Sequence, residues 1–342
     1  MRIALDVMGG DRAPEATIRG ALLAVEKGQV RPDQVLLVGL PEAVEEELKK
    51  AGGDPGLFQV QPASQVVGMG ESPAEALRKK RDSSVLVGAM AVKKKAASAL
   101  VSAGNTGAAV AASVRLWKTL PGVRRPGIAV TFEGDKGKPV TIIDVGANVN
   151  CTPADLLNYG YMGSFLSSIA YGVEGPRVGL MNIGSEDEKG NQLTKTTHSI
   201  FRDSGLNFVG NVEGRDLFSG ACEVIVCEGF VGNVILKVGE GLSEHLVRVF
   251  YAELQAAGID PAVAGGIVGK IRKRMDYSEY GGALLLGVDG TCVICHGHSD
   301  AKAIANALEL ARKAVESGLN EKISRAILEQ REAGAGGAPG DR

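Results

Sequence analysis

With 342 residues, 44% of them hydrophobic and 23% charged, the chain has the composition of a globular protein long enough to bury a sizeable core. A net charge of −2 and only 4% aromatic residues exclude a global attraction to polyanions and a surface for stacking bases, so no nucleic-acid partner is expected. Five cysteines form an odd set without a disulfide framework, residues 1–6 lack the apolar core of a secretory peptide, and no apolar stretch is long enough to span a bilayer. These point to a reduced cytoplasm.

In chain order, residues 1–6 read as a strand, 14–27 as a helix, 34–38 as a strand and 41–51 as a helix. Pro14 and Pro41 stand in first turns, where a missing N–H costs little. The alternation continues through Leu100, Ile142, Val178 and Val226, which predicts a three-layer α/β/α fold around a largely parallel sheet. After Asp144 a helix start is legible, with Thr152 as N-cap, Pro153 in the first turn and Asp155 near the positive end. Residues 284–288 and 291–295 flank Asp289-Gly290 as a β-hairpin, an excursion from the parallel rhythm that predicts a dimer surface or a second lobe. Residues 299–318 and 321–329 read as helices. The expected organisation is one α/β domain over 1–330 with a disordered tail over 331–342.

The 47 glycines are about twice the usual share, and they cluster informatively. Four apolar runs, 99–104, 141–144, 178–183 and 224–227, each end in a glycine-rich polar turn that leads into a helix-like stretch. Such turns expose backbone N–H groups beside a helix N-terminus, which favours negative charge. In open sheets ligands gather at the carboxyl ends of strands, where these turns fall. Four of them, with Asn, Ser, Thr and one Lys but no evident protein nucleophile, predict a phosphate-handling cleft.

The motifs carry a resemblance. Leu5-Asp6-Val7-Met8-Gly9-Gly10-Asp11 with Pro14, Ser102-Ala103-Gly104-Asn105-Thr106-Gly107, Asp144-Val145-Gly146-Ala147-Asn148, Asn182-Ile183-Gly184-Ser185-Glu186 through Lys189-Gly190, Gly229-Phe230-Val231-Gly232-Asn233 and Tyr280-Gly281-Gly282 resemble, in order from residue 1 to about 318, the bacterial phosphate acyltransferases. Departures are Arg12 for His, Glu228 for Asp, Ala283 for Pro and His298 for a small polar residue. The resemblance implies a fold similar to the isopropylmalate dehydrogenase group and a homodimer. It implies an enzyme that makes acyl-phosphate from acyl-acyl-carrier-protein and orthophosphate for membrane phospholipid synthesis. Peripheral membrane contact and hand-off to a membrane acyltransferase would follow, with no metal or nucleotide cofactor.

In that reaction phosphate is the nucleophile, so the protein must hold one oxyanion and stabilise a second that develops on the thioester carbonyl. Lys189 ranks first as the offsetting cation; the alternative is a surface lysine paired with Glu186 or Glu188. Asn233 is next as an oxyanion donor, against a role as the cap of a helix opening at 234. Gly104, Asn105, Thr106 and Gly107 form the best phosphate cradle, with Ser185 and Asn148 as secondary candidates. Asp6, Asp11 and Asp144 either orient Lys189 or Asn148, or cap glycine-rich loops.

Ile267, Lys270, Ile271, Arg272, Lys273 and Arg274 make a short basic amphipathic segment, which reads as a dock for acidic carrier protein, as a membrane-surface element or as an interface helix. Cys292 and Cys295 have CxxC spacing but read as buried thiols, and His296 with His298 is weak metal evidence. Rival functions are a phosphate acetyltransferase-like enzyme using coenzyme A thioesters, a metal-dependent hydroxy-acid dehydrogenase, and a non-catalytic scaffold of lipid synthesis.

Overall fold

A computed structural model describes residues 1–335. The first half alternates β1 (Ile3–Asp6), α1 (Glu15–Glu26), β2 (Val35–Gly39), α2 (Pro41–Lys50), β3 (Gln59–Pro62), α3 (Pro73–Lys79), α4 (Ser84–Lys93), β4 (Ala99–Ser102) and α5 (Thr106–Trp117). An antiparallel pair follows, β5 (Gly127–Glu133) and β6 (Pro139–Ile143), joined by a tight turn at 134–138. Then come α6 (Pro153–Tyr171), β7 (Val178–Met181), α7 (Gln192–Arg202), β8 (Phe208–Val212), β9 (Val224–Val226), α8 (Gly229–Ala256), α9 (Pro261–Met275), β10 (Ala283–Leu286), β11 (Thr291–Ile294), α10 (Ala301–Glu316) and α11 (Leu319–Ala335). Residues 331–335 thus complete α11, and the remainder of the expected tail, 336–342, lies outside the described residues.

All the strands join one sheet in the order β3-β2-β1-β4-β11-β10-β5-β6-β9-β7-β8. Their residues alternate between its two faces, as the period of two requires. Ile3, Leu5, Leu37, Val101, Ile143 and Val226 face one core with α1, α6 and α10. Ala4, Leu36, Leu100, Ile128, Val130, Ile142 and Ile225 face the other with α4, α5 and Leu236 of α8. This is the three-layer arrangement that the strand–helix alternation predicts.

One expectation needs correction. The hairpin β10–β11 is neither a second lobe nor an edge: it is buried at the centre of the sheet, where β11 runs parallel to β4 while β10 pairs antiparallel with both β11 and β5. Its apolar residues, Leu284, Leu285, Val293 and Ile294, supply both faces of the core, which an exposed hairpin would not need. The sheet is largely parallel, as expected, but its two halves differ in direction. Because β5 and β6 are antiparallel and β6, β9, β7 and β8 are parallel, this half of the sheet runs opposite to β3, β2, β1, β4 and β11. The turn after β4 therefore leaves one edge of the sheet, and those after β6, β7 and β9 leave the other.

The start of α6 shows how local chemistry fixes an element beside these turns. Thr152 Oγ1 accepts from Asp155 N at 3.3 Å while Asp155 Oδ2 accepts from Thr152 N at 2.7 Å, and the Arg124 guanidinium pairs with the same carboxylate. Burial works against the charge, but the Arg124 and Thr152 donors hold the Asp155 carboxyl below its ordinary range. A depressed folded pKa stabilises the fold above the unfolded value of about 4, and that stabilisation is lost as pH falls through the folded value. Asp155→Ala should cost about 1–3 kcal/mol at pH 7, and the gap in Tm between it and the wild type, measured by thermal melts across pH, should narrow in acid.

Candidate active site

The turn after β6 is built around Asp144, which is completely buried. Its Oδ1 accepts from Ile128 N (3.0 Å), Gly146 N (3.1 Å) and Ala147 N (2.9 Å), and its Oδ2 from Asn148 N (2.8 Å) and Asn148 Nδ2 (3.1 Å). Burial pushes the carboxyl above its ordinary range, and the donors pull against that push. Asn148 is buried as well. Its amide nitrogen also donates to Pro126 O (2.5 Å) and Tyr159 Oη (2.9 Å), and its oxygen accepts from Arg125 at 3.4 Å. Asp144 thus orients Asn148, one of the roles expected of it, and Asn148 spends its amide on holding the turn.

Helix α8 is seated directly on this turn. A Cβ on Gly229 would stand 2.6 Å from Asn148 O, and one on Gly232 would collide with the Asp144 carbonyl oxygen. Only glycine at both positions lets the first turn of the helix lie against the Asp144–Asn148 backbone. Glu228 is the N-cap, accepting from Phe230 N at 2.7 Å and Val231 N at 3.1 Å. Asn233 therefore lies inside α8 and does not cap it, which corrects the capping alternative. Its exposed side chain rests over Gly146, whose φ of +138° is a glycine conformation.

The opposite wall comes from the turns after β1 and β4. These interlock: a Cβ on Gly9 would stand 2.6 Å from Gly104 N. Beneath them Ser102 Oγ donates to Asp6 Oδ2 at 2.7 Å and accepts from Gly104 N at 3.1 Å. Burial pushes the Asp6 carboxyl up, although Ser102 bonds to it. Asn105 caps α5, its Oδ1 accepting from Ala108 N at 3.0 Å, and its Nδ2 donates to the carbonyls of Met69 (3.0 Å) and Glu71 (3.0 Å). Asn105 is thereby committed to the fold, and it pins the loop that carries Met69. Thr106 is exposed at the first position of α5, next to Gly107, where helix N–H groups have no acceptor within the helix.

Between these walls lies a cleft of about 470 Å³, with strands β5, β10 and β11 as its floor. It runs across the sheet face, which is how turns leaving opposite edges contribute to one site. Thr106, Asn233 and Asp11 line it, so three of the expected residues meet there. Asp11 pairs with His298, Oδ2 to Nδ1 3.3 Å, and Lys237 with Glu240 at 2.7 Å. Met69, Leu236, Lys237 and Tyr277 also line the cleft and were not legible in the sequence. Leu236 and Lys237 stand one turn beyond Asn233, and a helix drawn from Gly229 rather than from 234 would have put them on its face. Nothing local marks Met69 or Tyr277.

The other candidates stand apart from the cleft. Lys189 and Ser185 are exposed on the loop after β7, which Asn182 Nδ2 holds by bonding to Lys189 O (3.1 Å) and Asn211 Nδ2 by bonding to Glu186 O (2.7 Å). Asp187 turns to His198, and the Lys189 ammonium has no ion-pair partner among the described residues, so the alternative pairing with Glu186 or Glu188 is not formed. None of Asp6, Asp11 or Asp144 pairs with Lys189. Ile267, Lys270, Ile271, Lys273 and Arg274 line a separate cavity of about 640 Å³, where Arg274 meets Glu133 at 3.5 Å; Arg272 is exposed on the same helix. Cys292 and Cys295 are buried in and beside β11, and burial pushes both thiols up to about 12. Among the described residues no group of three His, Cys, Asp or Glu is placed to hold a metal ion.

The seat of α8 makes a prediction of its own. Gly232→Ala must lift the helix off Asp144 O, so it should cost about 1–3 kcal/mol or more by overpacking. Thermal melting measures that cost, and the displaced Asn233 should lower turnover beyond the loss of folded protein.

Comparison with known proteins follows the same outline. The family described as "Fatty acid synthesis protein" matches residues 1–322. The chain is 47% identical over 323 residues to the phosphate acyltransferase of Heliobacterium modesticaldum, covering 92% of this chain and 94% of that one. It is 44% identical over 340 residues to the phosphate acyltransferase of Pelotomaculum thermopropionicum, covering 98% of each. Among solved structures it is similar to a phosphotransacetylase from Streptococcus pyogenes, with a TM-score of 0.64, 15% identity and coverage of 92% and 94%. It is also similar to a 4-hydroxythreonine-4-phosphate dehydrogenase from Klebsiella pneumoniae, with a TM-score of 0.52, 15% identity and coverage of 91% and 98%. Those two likenesses carry the fold alone. By the match of nearly its whole length and the identity to its relatives, the chain belongs to the phosphate acyltransferase family of fatty acid synthesis proteins.

Proposed function

We propose that the chain transfers a fatty acyl group from acyl-acyl-carrier-protein to orthophosphate. The observation that carries this reading is that Thr106, at the open first turn of α5, and Asn233, held over Gly146, line one cleft. Phosphate bound at the Thr106 turn is attracted by the helix N-terminus. One of its oxygens attacks the thioester carbonyl carbon, and the charge that develops on the carbonyl oxygen is met by the Asn233 amide. Collapse re-forms the carbonyl, breaks the C–S bond and releases the thiolate, which takes the proton carried by hydrogen phosphate. The products are acyl-phosphate and free thiol. Holding both reactants supplies much of the rate.

Lys189 is the proposed countercharge, with Ser185 beside it. Because both lie outside the cleft here, the role requires the 184–190 loop to turn toward Asn233. The reaction needs no metal or nucleotide, and one α/β unit over 1–330 carries it. Partner contacts belong to α8 and α9. Phe230, Val234, Val238 and Leu242 recur every four residues on exposed α8, a stripe that supports a homodimer. Lys270 and Arg272 are exposed cations on α9, which supports docking of acidic carrier protein at a cytoplasmic or peripheral membrane site and hand-off to a membrane acyltransferase. No helix among the described residues is long and apolar enough to cross a membrane.

The test is an assay of purified protein with palmitoyl-acyl-carrier-protein and phosphate, following acyl-phosphate and free thiol together. Both should appear in equal amounts and only with phosphate. Thiol release without phosphate would mean a thioesterase, and turnover only with coenzyme A thioesters would shift the donor. Asn233→Asp should lower kcat by about 10²–10³, Lys189→Ala by about a hundredfold, and Thr106→Val should raise KM for phosphate. Wild-type turnover in the Lys189→Ala protein would remove that residue from the mechanism. Lys270→Glu with Arg272→Glu should raise KM for the carrier thioester and weaken its salt dependence.

A further inference from the structure

We propose that the apolar floor of this cleft seats the alkyl chain of the acyl group, and that Ala283 sets how long a chain it accepts. The inference rests on the transfer reaction above. Strand register places the floor: Ala283 pairs with Ile294 of β11, and the pairing of Leu284 with Ala129 puts Ala283 beside Val130 of β5. Val130 in turn pairs with Ile142 of β6. All four residues belong to the same apolar face of the sheet. Three are β-branched and one is alanine, so the row has a dip at 283.

That dip has fixed walls. Strand β10 is hydrogen-bonded on both sides, so its backbone cannot sink or rise to suit an occupant. Leu236 of α8 and Met69, on the loop pinned by Asn105, line the same cleft. Thr106, Asn233 and Lys237, polar groups of the cleft, are exposed, whereas Val130, Ala283 and Ile294 are buried. Phosphate therefore has its partners at the rim and a hydrocarbon chain has its own at the bottom. Apolar surface removed from water is the attraction an alkyl chain can gain, and it grows with every methylene seated. A cavity of about 470 Å³ is of the size that binds small molecules.

The experiment measures kcat/KM for acyl-carrier-protein thioesters from butyryl to palmitoyl with saturating phosphate, in the wild type, in Ala283→Leu and in the milder Ala283→Val. Wild-type values should rise by about fourfold per added methylene until the floor is full. The palmitoyl-to-butyryl ratio should fall by at least about tenfold in Ala283→Leu, and by less in Ala283→Val, with KM for phosphate unchanged. Binding of cis-parinaric acid, followed by its fluorescence, reads the same floor without turnover and should weaken about tenfold in Ala283→Leu. A loss equal at every chain length, or unchanged parinaric acid binding in a folded variant, overturns the proposal. Absence of acyl-phosphate from every thioester in the wild type overturns the transfer reading instead, and parinaric acid binding then still decides the floor.

Discussion

The carboxylate of Asp144 is the point on which the site depends. By gathering N–H groups from Ile128, Gly146, Ala147 and Asn148 it folds the end of β6 into a compact turn with little room above it. A buried carboxylate without such donors would be costly, and with them it becomes a rigid centre. Helix α8 can rest on that centre only through glycine, at 229 and 232. The position of Asn233 is a consequence of those two contacts, and the cleft wall follows from it. Glu228 completes the seat by accepting from the first N–H groups of the helix, Phe230 N and Val231 N.

The sheet imposes the second constraint. Its two parallel halves run in opposite directions and are reconciled by β10 and β5 at the centre. Loops that would crowd one edge in a wholly parallel sheet are divided between two, and a site shared by both halves must cross the sheet face. The cost is that its floor is strand, made of side chains with no spare polar groups. The cleft accordingly has polar walls and an apolar bottom.

The polar walls are not all available for ligand. Asn105 and Asn148 look like ligand-binding amides when read as motif letters, yet each is occupied by carbonyls or carboxylate of the fold. Their neighbours Thr106 and Gly146 are the groups left facing the cleft. Glycine-rich motifs in such a protein therefore mix residues that shape the turn with residues that use it, and hydrogen-bond geometry separates the two.

What the sequence determined by itself is what a few neighbouring residues can encode. Thr152-Pro153 with Asp155 opens α6 because its capping bonds are local, and strand–helix alternation announces the α/β/α layers because burial has a short period. The family motifs were legible for the same reason, and two residues within them, Thr106 and Asn233, line the cleft. Only the tertiary structure decided that 284–295 is the middle of the sheet, that Asn233 sits inside a helix begun at Gly229, and that Met69 and Tyr277 line the cleft. Strand order and direction are set by partners up to more than a hundred residues away, as when β10 pairs with β5, and their free energy resides in contacts that no local pattern records.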